Sequence, residues 1–173
     1  VAERLGRHPQ FCSAYDGRLS SPELEQALVE GMVASGAEVV RLGVGPTPML
    51  YFGVNEGKKD GGVMVTGSHN PPEFNGFKLI QGSLPFWDND IQLLGTVIES
   101  SLFRSKKGHS QKGSVEKKYV ARLLEEYDSD VQYSVVWDAG NGATGRVMRS
   151  LTDQLPGRHV LLNETIDGEF PSH

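Results

Sequence analysis

The chain has 173 residues, 38% of them apolar, with a net charge of −5 and one cysteine. That length holds one large domain or one domain and part of another, and the acidic balance offers no electrostatic footprint for nucleic acid, whose phosphates it would repel. A lone Cys12 excludes an internal disulfide; with no membrane-length apolar stretch and no signal-peptide pattern, a cytoplasmic protein away from membranes is expected.

Val1-Ala2-Glu3-Arg4-Leu5 reads as the middle of a helix without a cap. A first strand is predicted over residues 10–15, ending in Asp16-Gly17-Arg18; Cys12 within it reads as a small buried hydrophobe. Ser20-Ser21-Pro22-Glu23 predicts a helix start, with Ser20 as the cap and Glu23 completing the box. Leu24, Ala27, Leu28, Gly31 and Met32 would form its buried face, and Gly36 its stop. A strand at 39–42, a short helix at 49–54 after Thr47-Pro48, and strands at 62–65 and 77–80 follow. Strands alternating with helices predict an α/β class, with helices layered on a mostly parallel mixed sheet.

A helix over 90–101, with Ile91, Leu94, Val97 and Ile98 on one face, is expected to close this first unit. Residues 104–114 turn polar and read as an exposed linker between a domain at 1–103 and the start of a second at 115–173. The second unit opens with a helix at about 115–127, a strand at 134–137, a glycine-rich turn, a helix at 143–155 and a strand at 159–162. A single strand-helix-strand cannot bury both faces of its sheet, so the chain is expected to be a fragment of something longer. Gly140-Asn141-Gly142-Ala143-Thr144-Gly145 satisfies G-x-G-x-x-G, with Glu164 nearly twenty residues on, which makes a dinucleotide-binding oxidoreductase fragment a legitimate alternative. Asp138, just before that turn, would repel a pyrophosphate and weakens it.

The most informative stretch is Thr66-Gly67-Ser68-His69-Asn70-Pro71-Pro72-Glu73-Phe74-Asn75-Gly76-Phe77-Lys78. A strand runs into a turn presenting a hydroxyl, an imidazole and an amide; a second strand then brings Lys78 back towards Ser68, with Phe77 and Leu79 expected to face the other way into the core. A serine at a strand end faced by a cation suits covalent phosphate better than acyl transfer. Adjacent Ser-His is the wrong arrangement for a hydrolase triad, and no G-x-S-x-G surrounds Ser68.

These residues, with Asp16-Gly17-Arg18-Leu19-Ser20, Pro46-Thr47-Pro48, Asp138-Ala139-Gly140-Asn141-Gly142 and Asp167-Gly168-Glu169-Phe170-Pro171, closely resemble the α-D-phosphohexomutases, most of all the bacterial phosphomannomutase/phosphoglucomutase group. The resemblance implies a mutase that interconverts hexose 1- and 6-phosphates, of glucose or mannose, through a phosphoserine and a bisphosphate. It makes Ser68 the phosphoserine, its phosphate one ligand of a Mg²⁺, and His69 and Lys78 the other catalytic candidates. Lys78 can neutralise transferring charge, and it or His69 can relay a proton. Thr66, Asn70 and Arg18 are the substrate-binding candidates. For Arg18 a structural ion pair is the stronger reading, and the Asn70 side chain is expected to hold the loop by hydrogen bonding its own backbone. The family's aspartate-rich metal loop has no counterpart in these residues, so the remaining Mg²⁺ ligands are expected outside the chain and the chain alone is expected to be inactive. A non-catalytic phosphosugar-binding module is the other alternative.

Overall fold

The computed structural model describes residues 6–101, 103, 105–128 and 130–172. The helical reading of Val1–Leu5 lies outside them. The elements are β1 (Gln10–Tyr15), α1 (Ser21–Ala34), β2 (Glu38–Val44), α2 (Thr47–Glu56), β3 (Gly61–Val65), β4 (Phe77–Gln81), β5 (Leu84–Pro85), α3 (Asn89–Ser100), β6 (His109–Lys112), α4 (Glu116–Leu124), β7 (Tyr133–Asp138), α5 (Gly145–Thr152) and β8 (Gly157–Leu162). No helix among the described residues is long and apolar enough to cross a membrane.

Six strands form one sheet in the order β5-β4-β3-β1-β2-β6. β3, β1, β2 and β6 run parallel, while β4 and β5 add an antiparallel edge. β3, at the centre with every residue buried, reads as a continuous apolar run because helices cover both faces. On one face Cys12, Ala14, Leu42, Met64 and Ile80 meet Leu50 and Val54 of α2. On the other, Val29 of α1 packs with Ala37, Val39 and Phe11. Leu50 is fully buried, and its truncation to alanine belongs to the class of core change that costs about 2–5 kcal/mol. Burial likewise pushes the Cys12 thiol up to about 11, which leaves it an inert core residue as expected.

Four local expectations are corrected. Ser20 does not cap α1 with its side chain; its hydroxyl instead accepts from the Asn75 amide at 3.0 Å, a tertiary partner displacing the local one. The buried stripe of α1 is Ser21, Glu25 and Val29, with Ala27 and Gly31 exposed. The helix turns that way because the Glu25 carboxylate is needed inside: Ser13 Oγ donates to it at 2.6 Å and Arg41 pairs with it. The apolar face of α3 does not close the unit: Ile91, Leu94, Val97 and Ile98 are 38–64% exposed. The segment read as a linker supplies β6, which pairs along β2 from Glu38↔His109 to Arg41↔Lys112. An edge strand open to water is as polar as a connection, so composition could not separate the two.

After β6 the chain builds a two-stranded parallel sheet, β7-β8, with α5 against it. Val120 of α4 and Val147 of α5 pack on Met49 of α2, which joins this unit to the first. Val136, Val160 and Leu162 remain 39–64% exposed, the open face that a lone strand-helix-strand must leave.

Candidate active site

The topology creates the site. From β1 the chain crosses to β2 on one side, then returns past it to β3 on the other, so the loops leaving the carboxyl ends of these adjacent strands set off in opposite directions. Ligands of open α/β sheets bind at such switch points. The loop after β1 carries Asp16 and Arg18, and the loop after β3 carries Ser68.

Arg18 organises the serine loop. Its side chain is 2% exposed, and its donors are all taken: Nε by Asp16 Oδ2, Nη1 by the carbonyls of Pro71 and Phe74, Nη2 by those of Ser68 and Asn70. A planar fork of five N–H groups can gather four carbonyls from one turn; a lysine could not. Asp16 is the second anchor. It accepts from Thr66 Oγ1 at 2.7 Å, Ser21 Oγ at 2.6 Å and the Arg18 amide at 3.1 Å. Thr66 Oγ1 in turn accepts from the Ser68 amide at 2.9 Å. Asn75 ties the far side of the loop to Ser20 and Ser21 at the start of α1.

Gly67 is required by this packing. A Cβ there would lie 2.5 Å from both Arg18 Cζ and the Phe74 carbonyl, neither of which is free to move. Gly67→Ala should therefore destabilise the protein by about 1–3 kcal/mol, the scale of overpacking a tight site. Thermal denaturation checks this, and an unchanged melting temperature would show that the clamp yields.

Held this way, Ser68 adopts φ +56°, a left-handed conformation uncommon for a residue with a side chain and one that clusters at functional sites. The residue is exposed, and Lys78 Nζ lies 3.2 Å from Oγ. Lys78 sits opposite Met64 in the β3–β4 ladder. The residue packed in the core on its own face is Ile80; Phe77, expected to turn inward, is 47% exposed. His69 and Asn70 lie exposed beside Ser68, and no side chain among the described residues bonds the His69 ring. The Asn70 backbone, rather than its amide group, engages the loop.

The structure thus brings Ser68 and Lys78 together, leaves His69 exposed next to Ser68, bears out the ion pair read for Arg18, and engages Arg18 and Thr66 in bonds within the protein. Asp16, Gly67 and Asn75, not singled out as site residues from the sequence, complete the support of this loop. Asp16 stands in the Asp16-Gly17-Arg18 motif, but its link to the serine loop runs through Thr66, 50 residues away. A cleft of about 300 Å³ lined by Glu25, Arg41, Lys112 and Arg146 opens at the neighbouring strand ends; it does not include the exposed Ser68.

The glycine-rich turn after β7 is filled by protein. The amides of Gly140, Asn141 and Gly142 donate to Asp138 Oδ1, the Asn163 carbonyl and the Ala139 carbonyl, so they are not available to cradle a pyrophosphate. Glu164, in the ribose-binding position of that alternative, is paired with Arg149.

The residues present do not fit Mg²⁺ by themselves. Among the described residues no group of three His, Cys, Asp or Glu is placed to hold a metal, and Asp16, on the loop beside Ser68, is committed to Thr66, Ser21 and Arg18.

A protein-family model described as phosphoglucomutase/phosphomannomutase, alpha/beta/alpha domain I, matches residues 1–104. A phosphomannomutase/phosphoglucomutase of Pseudomonas aeruginosa is 35% identical over 99% of this chain and 37% of its own length. A phosphoglucomutase of Neisseria meningitidis serogroup B is 36% identical over 91% of the chain and 35% of its own length. The crystal structure of a phosphoglucomutase/phosphomannomutase family protein from Burkholderia thailandensis superposes with a TM-score of 0.90 at 36% identity, over 98% of this chain and 39% of that one. The chain spans little more than a third of the length of these relatives.

Proposed function

The chain belongs to the phosphoglucomutase/phosphomannomutase family, and from that premise we propose that it carries the phosphoryl-transfer serine of a hexose-phosphate mutase. The observation that supports this most is Ser68 Oγ, exposed on a clamped loop with the Lys78 ammonium 3.2 Å away. In this reading Ser68 begins as a phosphoserine. The P–O bond to its Oγ breaks as a P–O bond forms to a hydroxyl of hexose 1- or 6-phosphate, giving a bisphosphate. The proton of that hydroxyl passes to the serine oxygen, with His69 or Lys78 as relay. Reorientation of the bisphosphate and the reverse step return the other isomer. Charge spreads over the phosphoryl oxygens during transfer, and Lys78 is the side chain placed to offset it.

Arg18, Thr66 and Asp16 take no part in bonding the sugar; they hold Ser68 outward. β7, α5 and β8 begin a second domain. Sugar recognition and the other Mg²⁺ ligands are assigned to residues beyond these 173, in keeping with the greater length of the relatives. Mg²⁺, when bound, would offset phosphate charge. Titration of this chain with Mg²⁺ should show no saturation below about 1 mM, because one phosphoserine oxygen is too few ligands. Micromolar affinity would mean that a carboxylate site forms within it.

The decisive experiment is intact-mass analysis of the chain at the full length of its relatives after incubation with a hexose 1,6-bisphosphate. A gain of about 80 Da, one phosphoryl group, is expected on Ser68. No added mass, or mass on another residue, overturns the proposal.

A further inference from the structure

The hydrogen bonds of Arg18 lie in the plane of its guanidinium and leave the faces of that plane for another kind of contact. Arg18 Cζ lies over the Phe170 ring, 5.4 Å from its centroid. An aromatic face carries negative partial charge, and its attraction for a cation grows where water is excluded; Arg18 is 3% exposed.

Phe170 comes from the segment after β8, and that segment is anchored firmly. Asn141, buried and at φ +59°, donates from Nδ2 to the Thr165 carbonyl, accepts the Asp167 amide on its own carbonyl and accepts the Ser172 amide on Oδ1. The segment then meets the loop after β1 backbone to backbone. A Cβ on Gly168 would come 2.7 Å from the Gly17 carbonyl oxygen and 2.8 Å from the Leu19 nitrogen, and one on Gly17 would strike Ile166 Cγ2 at 2.4 Å. Phe170 has φ +50°, a conformation that persists only when its surroundings over-determine it.

We propose that Phe170 is a positioning residue for Ser68: in cation–π contact with Arg18, it fixes the guanidinium that gathers the carbonyls of Ser68, Asn70, Pro71 and Phe74. The second unit thereby sets the geometry of the serine carried by the first. The functional meaning of this coupling rests on the reading of Ser68 as the phosphoryl carrier; the coupling itself does not. A purely apolar role would be met by leucine, whereas a cation–π role requires an aromatic ring.

The test is amide hydrogen exchange of this chain with Phe170→Leu and Phe170→Tyr, read at the bonded amides of Ser68, Asn70 and Phe74 and, for reference, in β3. Phe170→Leu should accelerate exchange at those loop amides about fivefold relative to β3, the scale of one cation–π contact in a partly desolvated site. Phe170→Tyr should exchange as the parent does. Unchanged loop exchange in Phe170→Leu, equal acceleration in β3, or a tyrosine variant that behaves like leucine overturns the inference. Ser68 chemistry is scored separately by mass. A loosened loop without phosphoserine would refute the mutase reading alone, and phosphoserine with an unaltered loop would refute the coupling alone.

Discussion

Ser68→Ala, made in the chain at the full length of its relatives, should reduce mutase turnover by at least about 1,000-fold, because no other group can carry the phosphoryl between the two positions of the sugar. The fold should survive. The lost hydroxyl is on the surface, and alanine meets the same backbone conformation as serine, so stability should change by no more than about 0.5 kcal/mol. Ser68→Gly should be equally inactive yet no less stable, since glycine adopts φ +56° without a Cβ penalty. The measurement is initial rate with hexose 1-phosphate, alongside thermal denaturation. Rates within tenfold of the parent in Ser68→Ala would rule out a covalent serine carrier.

The second large effect concerns Lys78. Lys78→Met should preserve folding, since the side chain is exposed at the end of β4, but slow phosphoryl transfer by at least about 100-fold, the scale of losing one preorganised electrostatic contact. Lys78→Arg should recover only part of that loss, because a planar fork cannot stand where a compact point charge stood. Single-turnover transfer from the phosphorylated enzyme isolates this step from sugar binding. Equal single-turnover rates for Lys78→Met and the parent would reduce the 3.2 Å contact to coincidence.

The pairing of Ser68 with Lys78 was legible in the sequence because it is local. A strand, a turn rich in Gly and Pro, and a second strand fold back on themselves, and the period of two decides which side chains share a face. The same period put Phe77 opposite Lys78 correctly but could not say that its face would be left uncovered. The Arg18 clamp was not legible, because its acceptors are main-chain carbonyls and every residue type supplies those. The rotation of α1 was hidden for a related reason. Periodicity counts apolar residues, and the residue that decides the buried stripe is Glu25, whose reasons for being inside are Ser13 and Arg41 on neighbouring strands. The glycine-rich turn shows the opposite failure: a pattern matched, but its amides were already committed.

The bonds from Arg18 to the serine loop close chain segments of 50 to 56 residues. The pairing of β1 with β3 joins residues 50 apart, so the strands and the clamp close the same loop, and once the strands pair the clamp adds little closure cost of its own. During synthesis Arg18 leaves the ribosome well before the carbonyls it will gather, and Ser68 remains an ordinary hydroxyl until the sheet has set. On the proposed function, chemical competence at this serine is a late product of folding, and a nascent or partly unfolded chain would carry the residue without it.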